Sequence, residues 1–159
     1  DEPAYRSNFS AFRNSLLEKP GMRAVSLSTD VPGHAVKNIA GNVRIVGQGV
    51  DKGNSYQGIM ANEDFLATYG LDLIAGRNFS GADSQEWNSA IVNETSMRLL
   101  GFNDPEKILG HKIDIWGSEP EVIGVIKDYH HQSLKTRIPP VVIIFDKGIT
   151  QYFFYVEIQ

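Results

Sequence analysis

The 159-residue sequence predicts an α+β fold in which a mixed sheet is combined with short helices. Three observations predict it. Segments with the apolar pattern of strands occur along the whole chain, the helical segments between them are short, and the two kinds of segment follow each other irregularly. One strand candidate, Val141–Phe145, is apolar at every position, which is typical of a strand at the centre of a sheet.

The first third of the chain begins with a predicted surface helix. Residues 9–18 carry apolar side chains at helical spacing, and Pro20 with the following glycine ends the pattern. A strand is predicted at Met22–Ser28, and further strands at residues 43–46 and 56–61. The glycine-rich loop between the last two lacks the Gly-Lys-Ser/Thr order of a phosphate-binding loop.

Short helices are predicted in the middle of the chain, each between a capping side chain and a glycine suited to a left-handed exit. The three pairs are Asn62 with Gly70, Asn93 with Gly101, and Asp104 with Gly110. Pro105 follows Asp104 at the first helical position, where proline is favoured. A short strand at residues 90–92 precedes the second of these helices.

Strands dominate the last third of the chain. Residues 112–116 alternate, with Ile113 and Ile115 on one face, and a turn returns the chain through the apolar strand Glu121–Ile126, which predicts a hairpin. Residues 152–158 complete the set of strands after the central one.

Composition excludes several classes of function. A formal net charge of -4 and a pI near 5.5 argue against nucleic acid as a partner, because that binding requires clustered Lys and Arg. The absence of cysteine excludes disulfides, thiol catalysis and thiolate metal sites. No apolar run is long enough to span a bilayer. Since the sequence starts at Asp1 without a methionine, we expect it to be a piece of a longer protein.

The segment "IKDYHHQSLKTRIPP" contains the residue types of a metal site or a hydrolase. Asp128 and His130 would point the same way on an extended strand and could supply two zinc ligands, with His131 as a further candidate. The sequence does not identify a third converging ligand. Ser133 lacks the Gly-x-Ser-x-Gly turn of a hydrolase nucleophile. The competing interpretation is a strand that ends in a polar turn.

Arg77, in "AGRNF", follows an apolar strand and a glycine. It could bind a ligand carboxylate or anchor backbone carbonyl groups. The structural interpretation is favoured because nothing near it in the sequence indicates a substrate pocket.

Five motifs, taken together, resemble one family. "GLDLIAGRNFS", "AIVNETSMRLLGF", "ILGHKI", "EVIGVIKDYHHQSL" and "IPPVVI" follow each other in the order typical of the MacB-like periplasmic core domain, found in ABC transporter permeases of the MacB/FtsX family. The family's landmarks in these motifs are structural rather than catalytic. They correspond here to Gly76, Arg77, Asn93, Glu94, Gly110, Gly124, Lys127 and Asp128.

The resemblance implies a non-enzymatic domain on the periplasmic side of the bacterial inner membrane, held between transmembrane helices of a permease. It implies no cofactor. The expected partners are those transmembrane helices, an ABC ATPase in a separate domain or subunit, a second permease copy that forms a dimer, and a periplasmic adaptor protein. The domain would couple ATP-driven motion to substrate or partner handling in export, efflux or lipoprotein transport.

The family's fold implies a porter-like subdomain built from residues 1–61 and 139–159, with a second subdomain inserted at residues 62–138. Two alternatives remain open at this point. One is a metal-dependent periplasmic enzyme that uses Asp128, His130 and His131; the other is a permease domain that senses a ligand.

Overall fold

The computed structural model describes residues 11–32, 38–80, 86–130, 137–145 and 153–158. Its strands are β1 (Met22–Ser28), β2 (Ile39–Ile45), β3 (Asn54–Ala61), β4 (Leu73–Gly76), β5 (Ser89–Asn93), β6 (Ile113–Asp114), β7 (Glu121–Ile126), β8 (Val141–Phe145) and β9 (Phe153–Ile158). Its α-helices are α1 (residues 11–17), α2 (Phe65–Thr68), α3 (Glu94–Leu99) and α4 (Pro105–Ile108), and short 3-10 turns lie at Val50–Lys52 and Glu86–Asn88. No helix in these described ranges is long and apolar enough to cross a membrane.

The strands of the described chain form one mixed sheet, which confirms the predicted α+β class. The strand order is β4-β7-β5-β8-β3-β1-β9, and β2 branches from β3 to pair with β6. The pairs β3/β8 and β5/β7 are parallel, whereas the other pairs are antiparallel. The prediction that the apolar strand β8 is central is confirmed, because three strands lie on either side of it in this order.

Both faces of the sheet are covered by apolar side chains. In β5, Ala90 and Val92 pack on the face that carries α3 and α4, and Ile91 packs on the opposite face against α2. This alternation follows from the pleat of a strand, which points successive side chains to opposite faces. A strand buried on both faces is mostly apolar, as β7 and β8 are and as β5 is between its polar ends, Ser89 and Asn93.

Two of the three predicted helix caps are confirmed. The side chain of Asn93 accepts a hydrogen bond from the Ser96 amide at 3.0 Å, and that of Asp104 accepts one from the Glu106 amide at 3.1 Å. The predicted closing glycines have the left-handed conformation; they are Gly70, Gly101 and Gly110, with φ of 61°, 95° and 79°. Glycine adopts this conformation without the steric cost that a Cβ atom imposes.

The prediction that Asn62 caps α2 is wrong. Asp64 occupies the cap position of α2 and makes no side-chain cap bond. Asn62 is buried, 3% exposed, and its side-chain oxygen accepts hydrogen bonds from Ser26 and Leu27 of β1. The neighbouring strand competes for this amide group, and the sequence around residue 62 contains no sign of that competition.

The predicted hairpin is found only in part. The Ile113 amide donates to the Pro120 carbonyl at 3.0 Å, so the chain does reverse there, and both Ile113 and Ile115 are buried as expected. β6 nevertheless forms its ladder with β2, while β7 lies between β4 and β5. A strand as apolar as β7 satisfies its backbone on both edges by entering the main sheet.

The division into a porter-like part, residues 1–61 and 139–159, and an inserted part, residues 62–138, stays a prediction. Strands of both parts belong to the same sheet, with β5 of the second part hydrogen-bonded to β8 of the first.

Candidate functional site at the ends of two parallel strands

The polar residues that the sequence analysis emphasised lie at one edge of the sheet. β5 and β7 are parallel, with Asn93 opposite Ile126 in the register. Helix α3 starts immediately after β5, and Asp128 lies two residues beyond the end of β7. Because parallel strands end at the same edge, the start of α3 and the segment after β7 are brought together.

Asp128 is hydrogen-bonded to the first turn of α3. Its Oδ1 accepts from the Thr95 amide at 2.8 Å, and its Oδ2 accepts from the Thr95 hydroxyl at 2.8 Å. The Nη1 of Arg98 donates to the same Oδ2 at 3.1 Å. Asp128 therefore satisfies one of the amides that a helix start leaves without a partner, and does so from another strand.

Glu94 makes the reciprocal contact. Its Oε2 accepts from the Asp128 amide at 3.0 Å, and its Oε1 accepts from Nη2 of Arg98 at 3.1 Å. The start of α3 and the end of β7 thus exchange hydrogen bonds in both directions. Arg98 forms ion pairs with both carboxylates, and its side chain is 53% exposed while that of Asp128 is 16% exposed.

Asn93, which is fully buried, ties the same edge to β8. Besides capping α3, its Oδ1 accepts from the Val141 amide at 2.9 Å, and its Nδ2 donates to the Pro139 carbonyl at 3.0 Å. The Ser96 hydroxyl donates to the Val141 carbonyl at 2.7 Å. We call Asn93, Glu94, Thr95, Ser96, Arg98 and Asp128 the strand-end cluster.

The strand-end cluster has the properties of a structural clamp. Its carboxylates face donors of the same cluster, and its buried amide is bonded to backbone groups of a third strand. Such fully bonded polar networks rigidify the structure around them. The arrangement therefore fixes the relative positions of β5, β7, β8 and α3.

The structure does not bring the predicted metal ligands together within the part of the chain that it describes. Both carboxylate oxygens of Asp128 are bonded to α3, and His130 is exposed. His131 and Ser133 lie outside the described residues. Among the residues that are described, no group of three His, Cys, Asp or Glu side chains could hold a metal ion.

The two glycines of the family motifs allow β4 and β7 to approach closely. Gly76 lies opposite Gly124 in the register. A Cβ atom on Gly76 would lie 2.2 Å from the Ile123 carbonyl oxygen, and one on Gly124 would lie 2.6 Å from the carbonyl oxygen of Arg77. Both contacts involve backbone atoms, so a side chain at either position would force the strands apart.

Arg77 and Lys127, the two basic residues of these motifs, are exposed and hold neighbouring segments through their backbones. The Arg77 amide donates to the Ile123 carbonyl at 2.9 Å, and its guanidinium donates to the Asn78 carbonyl at 3.2 Å. The Lys127 amide donates to the Asp72 carbonyl at 2.8 Å. The structural interpretation of Arg77 stays a prediction.

Sequence reasoning missed three members of the strand-end cluster: Thr95, Ser96 and Arg98. The pairing of Glu94 with Arg98 could have been found, because residues four apart face each other on a helix. The bonds of Thr95 to Asp128 and of Ser96 to Val141 could not, since their partners lie 33 and 45 residues away in the sequence.

A family model described as the MacB-like periplasmic core domain matches residues 6–157. The fold is similar to the periplasmic region of MacB from Actinobacillus actinomycetemcomitans, with a TM-score of 0.63 and 16% identity, covering 94% of this chain and 64% of that chain. It is also similar to a domain of a putative permease protein from Porphyromonas gingivalis, with a TM-score of 0.62 and 16% identity, covering 92% of this chain and 66% of that chain.

A third similar structure is the extracellular domain of the noncanonic ABC-type transporter YknZ from Gram-positive bacteria, with a TM-score of 0.60 and 20% identity. The match covers 92% of this chain and 69% of that chain. The chain thus spans about two thirds of each of these three solved chains. No curated protein matches the sequence at a significant level.

Proposed function

The chain belongs to the family of MacB-like periplasmic core domains, and from this membership we propose that it couples ATP-driven motion of an ABC transporter permease to events in the periplasm. The events in question are substrate or partner handling during export, efflux or lipoprotein transport. The observation that carries the proposal is the family match, which runs over residues 6–157 and so includes nearly the whole chain.

The geometry supports a mechanical role. Nearly every residue of β5, β7 and β8 is buried, and the strand-end cluster fixes the edge at which these strands end. A domain that transmits motion must move as a rigid unit, because a deformable one would absorb the displacement. Close-packed cores and fully bonded polar networks supply that rigidity.

The proposal includes the partners that a permease requires. Transmembrane helices of the same protein would hold the domain on the periplasmic side of the inner membrane, and ATP hydrolysis would occur in a separate ABC domain or subunit. A second permease copy would complete a dimer, and a periplasmic adaptor is a further partner. Membrane attachment would raise the effective concentration of the second copy near the first.

The test uses the full-length permease, assembled with its ATPase and without other cysteines. A spin label at Glu121→Cys, an exposed position of β7, reports the distance between the two copies. We expect this distance to change between the nucleotide-free state and the state trapped with ATP and vanadate. An ATPase variant that cannot bind ATP is the control. The proposal would be contradicted if the full-length protein assembled with no ABC ATPase. It would also be contradicted if the distance between the two copies did not change with ATP.

Metal analysis separates this proposal from the enzyme alternative. The alternative needs a tightly bound ion held by Asp128, His130 and His131, whereas the transmission role needs none. We expect protein purified without chelators to contain zinc well below one ion per chain. Stoichiometric zinc that is lost in Asp128→Ala would favour the enzyme. The ligand-sensing alternative would instead require saturable binding of a small molecule to the domain.

A further inference from the structure

The first and last described elements form one unit at an end of the sheet. β1 and β9 pair antiparallel, from Met22 opposite Ile158 to Ser28 opposite Phe153. Helix α1 directly precedes β1. We call α1, β1 and β9 the terminal unit. If the chain is held between transmembrane helices, as proposed above, this unit is the part of the described chain that lies nearest to them in the sequence.

Few backbone bonds join the terminal unit to the rest of the described sheet. The register between β1 and β3 consists of one pair, Ser28 opposite Ala61. The Thr29 amide donates to the Met60 carbonyl at 2.9 Å, and the Asn62 amide donates to the Leu27 carbonyl at 3.1 Å. Beyond Asn62 the chain turns away into α2, and no further backbone bond to β1 is formed by the described residues of this segment.

Side chains continue the ladder where the backbone of β3 stops. Oδ1 of Asn62 accepts from the Leu27 amide at 3.1 Å and from the Ser26 hydroxyl at 3.1 Å, as a carbonyl of a longer β3 could have done. In the opposite direction, the Met60 amide donates to the Thr29 hydroxyl at 3.0 Å. These bonds are buried or partly buried, so water competes with them weakly.

The same short segment also binds α1. Nδ2 of Asn62 donates to Oδ2 of Asp64 at 3.3 Å, and Asp64 accepts two hydrogen bonds from Arg13 of α1, at 2.6 and 2.8 Å. Bidentate arginine–carboxylate pairs fix orientation as well as distance. Asn62 and Asp64 therefore contact both the strand and the helix of the terminal unit; we call these two residues and Arg13 the joint.

We propose that the joint is the positioning element through which the terminal unit and the body of the sheet move together. The proposal rests on the proposed function and specifies where motion enters the domain. Helix α2 also packs against β1 and β9. Apolar packing holds these elements together without direction, whereas hydrogen bonds at fixed positions set one register. The joint supplies that register.

The experiment uses the full-length permease with its ATPase and two pairs of spin labels. Ser15→Cys on α1 and Glu121→Cys on β7, both exposed, report the distance between the terminal unit and the body within one copy. Glu121→Cys alone reports the distance between copies. The test variant is Asn62→Leu, which keeps the branched shape of the side chain, although it is larger, and removes the hydrogen bonds.

The matched control is Asn78→Leu. Nδ2 of Asn78 donates to the Glu63 carbonyl at 3.0 Å and Oδ1 accepts from the Phe79 amide at 2.8 Å, so this substitution also removes bonds from a half-buried amide near α2, none of them to the terminal unit. If Asn62→Leu does not fold, a milder pair of variants replaces the test and its control. Arg13→Gln is then the test variant and breaks the ion pair of the joint. Arg44→Gln is the control and breaks the Arg44–Asp114 ion pair between β2 and β6.

In the wild type we expect a narrow Ser15–Glu121 distribution that ATP with vanadate leaves unchanged. In Asn62→Leu we expect this distribution to broaden and the nucleotide-dependent shift between copies to be lost, while ATP hydrolysis continues. In Asn78→Leu both should stay as in the wild type. A wild-type Ser15–Glu121 distance that changes with nucleotide would contradict the proposal about the joint. So would an Asn62→Leu protein whose two distances match those of Asn78→Leu.

The two proposals fail in distinguishable ways. If the distance between copies in the wild type does not change with ATP, the proposed function is contradicted. The proposal about the joint is then tested by the width of the Ser15–Glu121 distance distribution, which is measured without nucleotide. A broader distribution in Asn62→Leu but not in Asn78→Leu supports the proposal. Equal widths in the two variants contradict it.

Discussion

The carboxylate of Asp128 accepts hydrogen bonds from both the amide and the hydroxyl of Thr95, each at 2.8 Å, across 33 residues of sequence. This contact joins the "KD" motif after β7 to the "NET" motif at the start of α3. Two motifs that occur separately in the sequence are therefore halves of one structural feature. The aspartate that looks like a metal ligand in the sequence has both oxygens bonded to a helix.

Replacing Asp128 with alanine should lower the free energy of unfolding by about 1–3 kcal/mol, because the Thr95 amide and Arg98 lose a charged acceptor. Urea denaturation of the chain measures this. Lys127→Ala, an exposed neighbour, should stay within about 0.5 kcal/mol of the wild type. A double-mutant cycle with Thr95→Val should give a coupling energy of at least about 0.5 kcal/mol. Additive effects would show that the bond between the Thr95 hydroxyl and Asp128 contributes nothing.

Gly76→Ala should be far more destabilising than Gly110→Ala, although both glycines have positive φ, 73° and 79°. Each substitution should lower the free energy of unfolding by about 1–2 kcal/mol because alanine disfavours the left-handed conformation. Only at Gly76 would the new Cβ atom meet a backbone oxygen, whereas nothing lies within 4 Å of it at Gly110. Urea midpoints of the two variants provide the comparison. Equal losses of stability in Gly76→Ala and Gly110→Ala would contradict the close approach of β4 and β7.

Gly58→Ala should displace the indole ring of Trp116, because the added Cβ atom would lie 2.1 Å from its Cη2. Trp116 is 43% exposed, so its ring can turn further into solvent. We expect a red shift of tryptophan fluorescence in a Trp87→Phe background, where Trp116 is the remaining tryptophan. Gly41→Ala is the matched control, since its Cβ atom meets nothing within 4 Å. An unshifted spectrum in Gly58→Ala would show that the ring lies elsewhere.

Two tyrosines should make the fold sensitive to alkali. Burial raises the pKa of the Tyr56 phenol above its ordinary value, and burial with the negative charge of Asp30 raises the pKa of Tyr129. Unfolded phenols ionise near pH about 10, whereas the folded state keeps these protons, so their contribution to stability is complete below that pH and is lost as pH rises above it.

The hydroxyl of Tyr56 has no hydrogen-bond partner among the described residues, so Tyr56→Phe should cost little at neutral pH. Urea midpoints at pH about 8 and about 11 should show a smaller alkaline loss in Tyr56→Phe than in the wild type. An identical loss would show that Tyr56 does not titrate differently in the folded and unfolded states.

The sequence by itself determined most of the local structure of this protein. Apolar patterns located the strands, and the caps at Asn93 and Asp104 with the glycines at 70, 101 and 110 located the short helices. These features depend on interactions between residues that are adjacent or a few positions apart, so the sequence alone is enough to predict them. The order of the motifs also indicated the family that the family model confirms.

Only the tertiary structure decided what the polar side chains bond to. Asn62 and Asn93 look alike in the sequence, as asparagines before short helices, yet Asn93 caps its helix and Asn62 binds β1. Residues 112–116 were expected to form a hairpin with β7; they keep part of that hairpin, and β6 forms its ladder with β2. Hydrogen bonds are short and directional, so their partners depend on which strands become neighbours, and strand order is set by burial across the whole sheet.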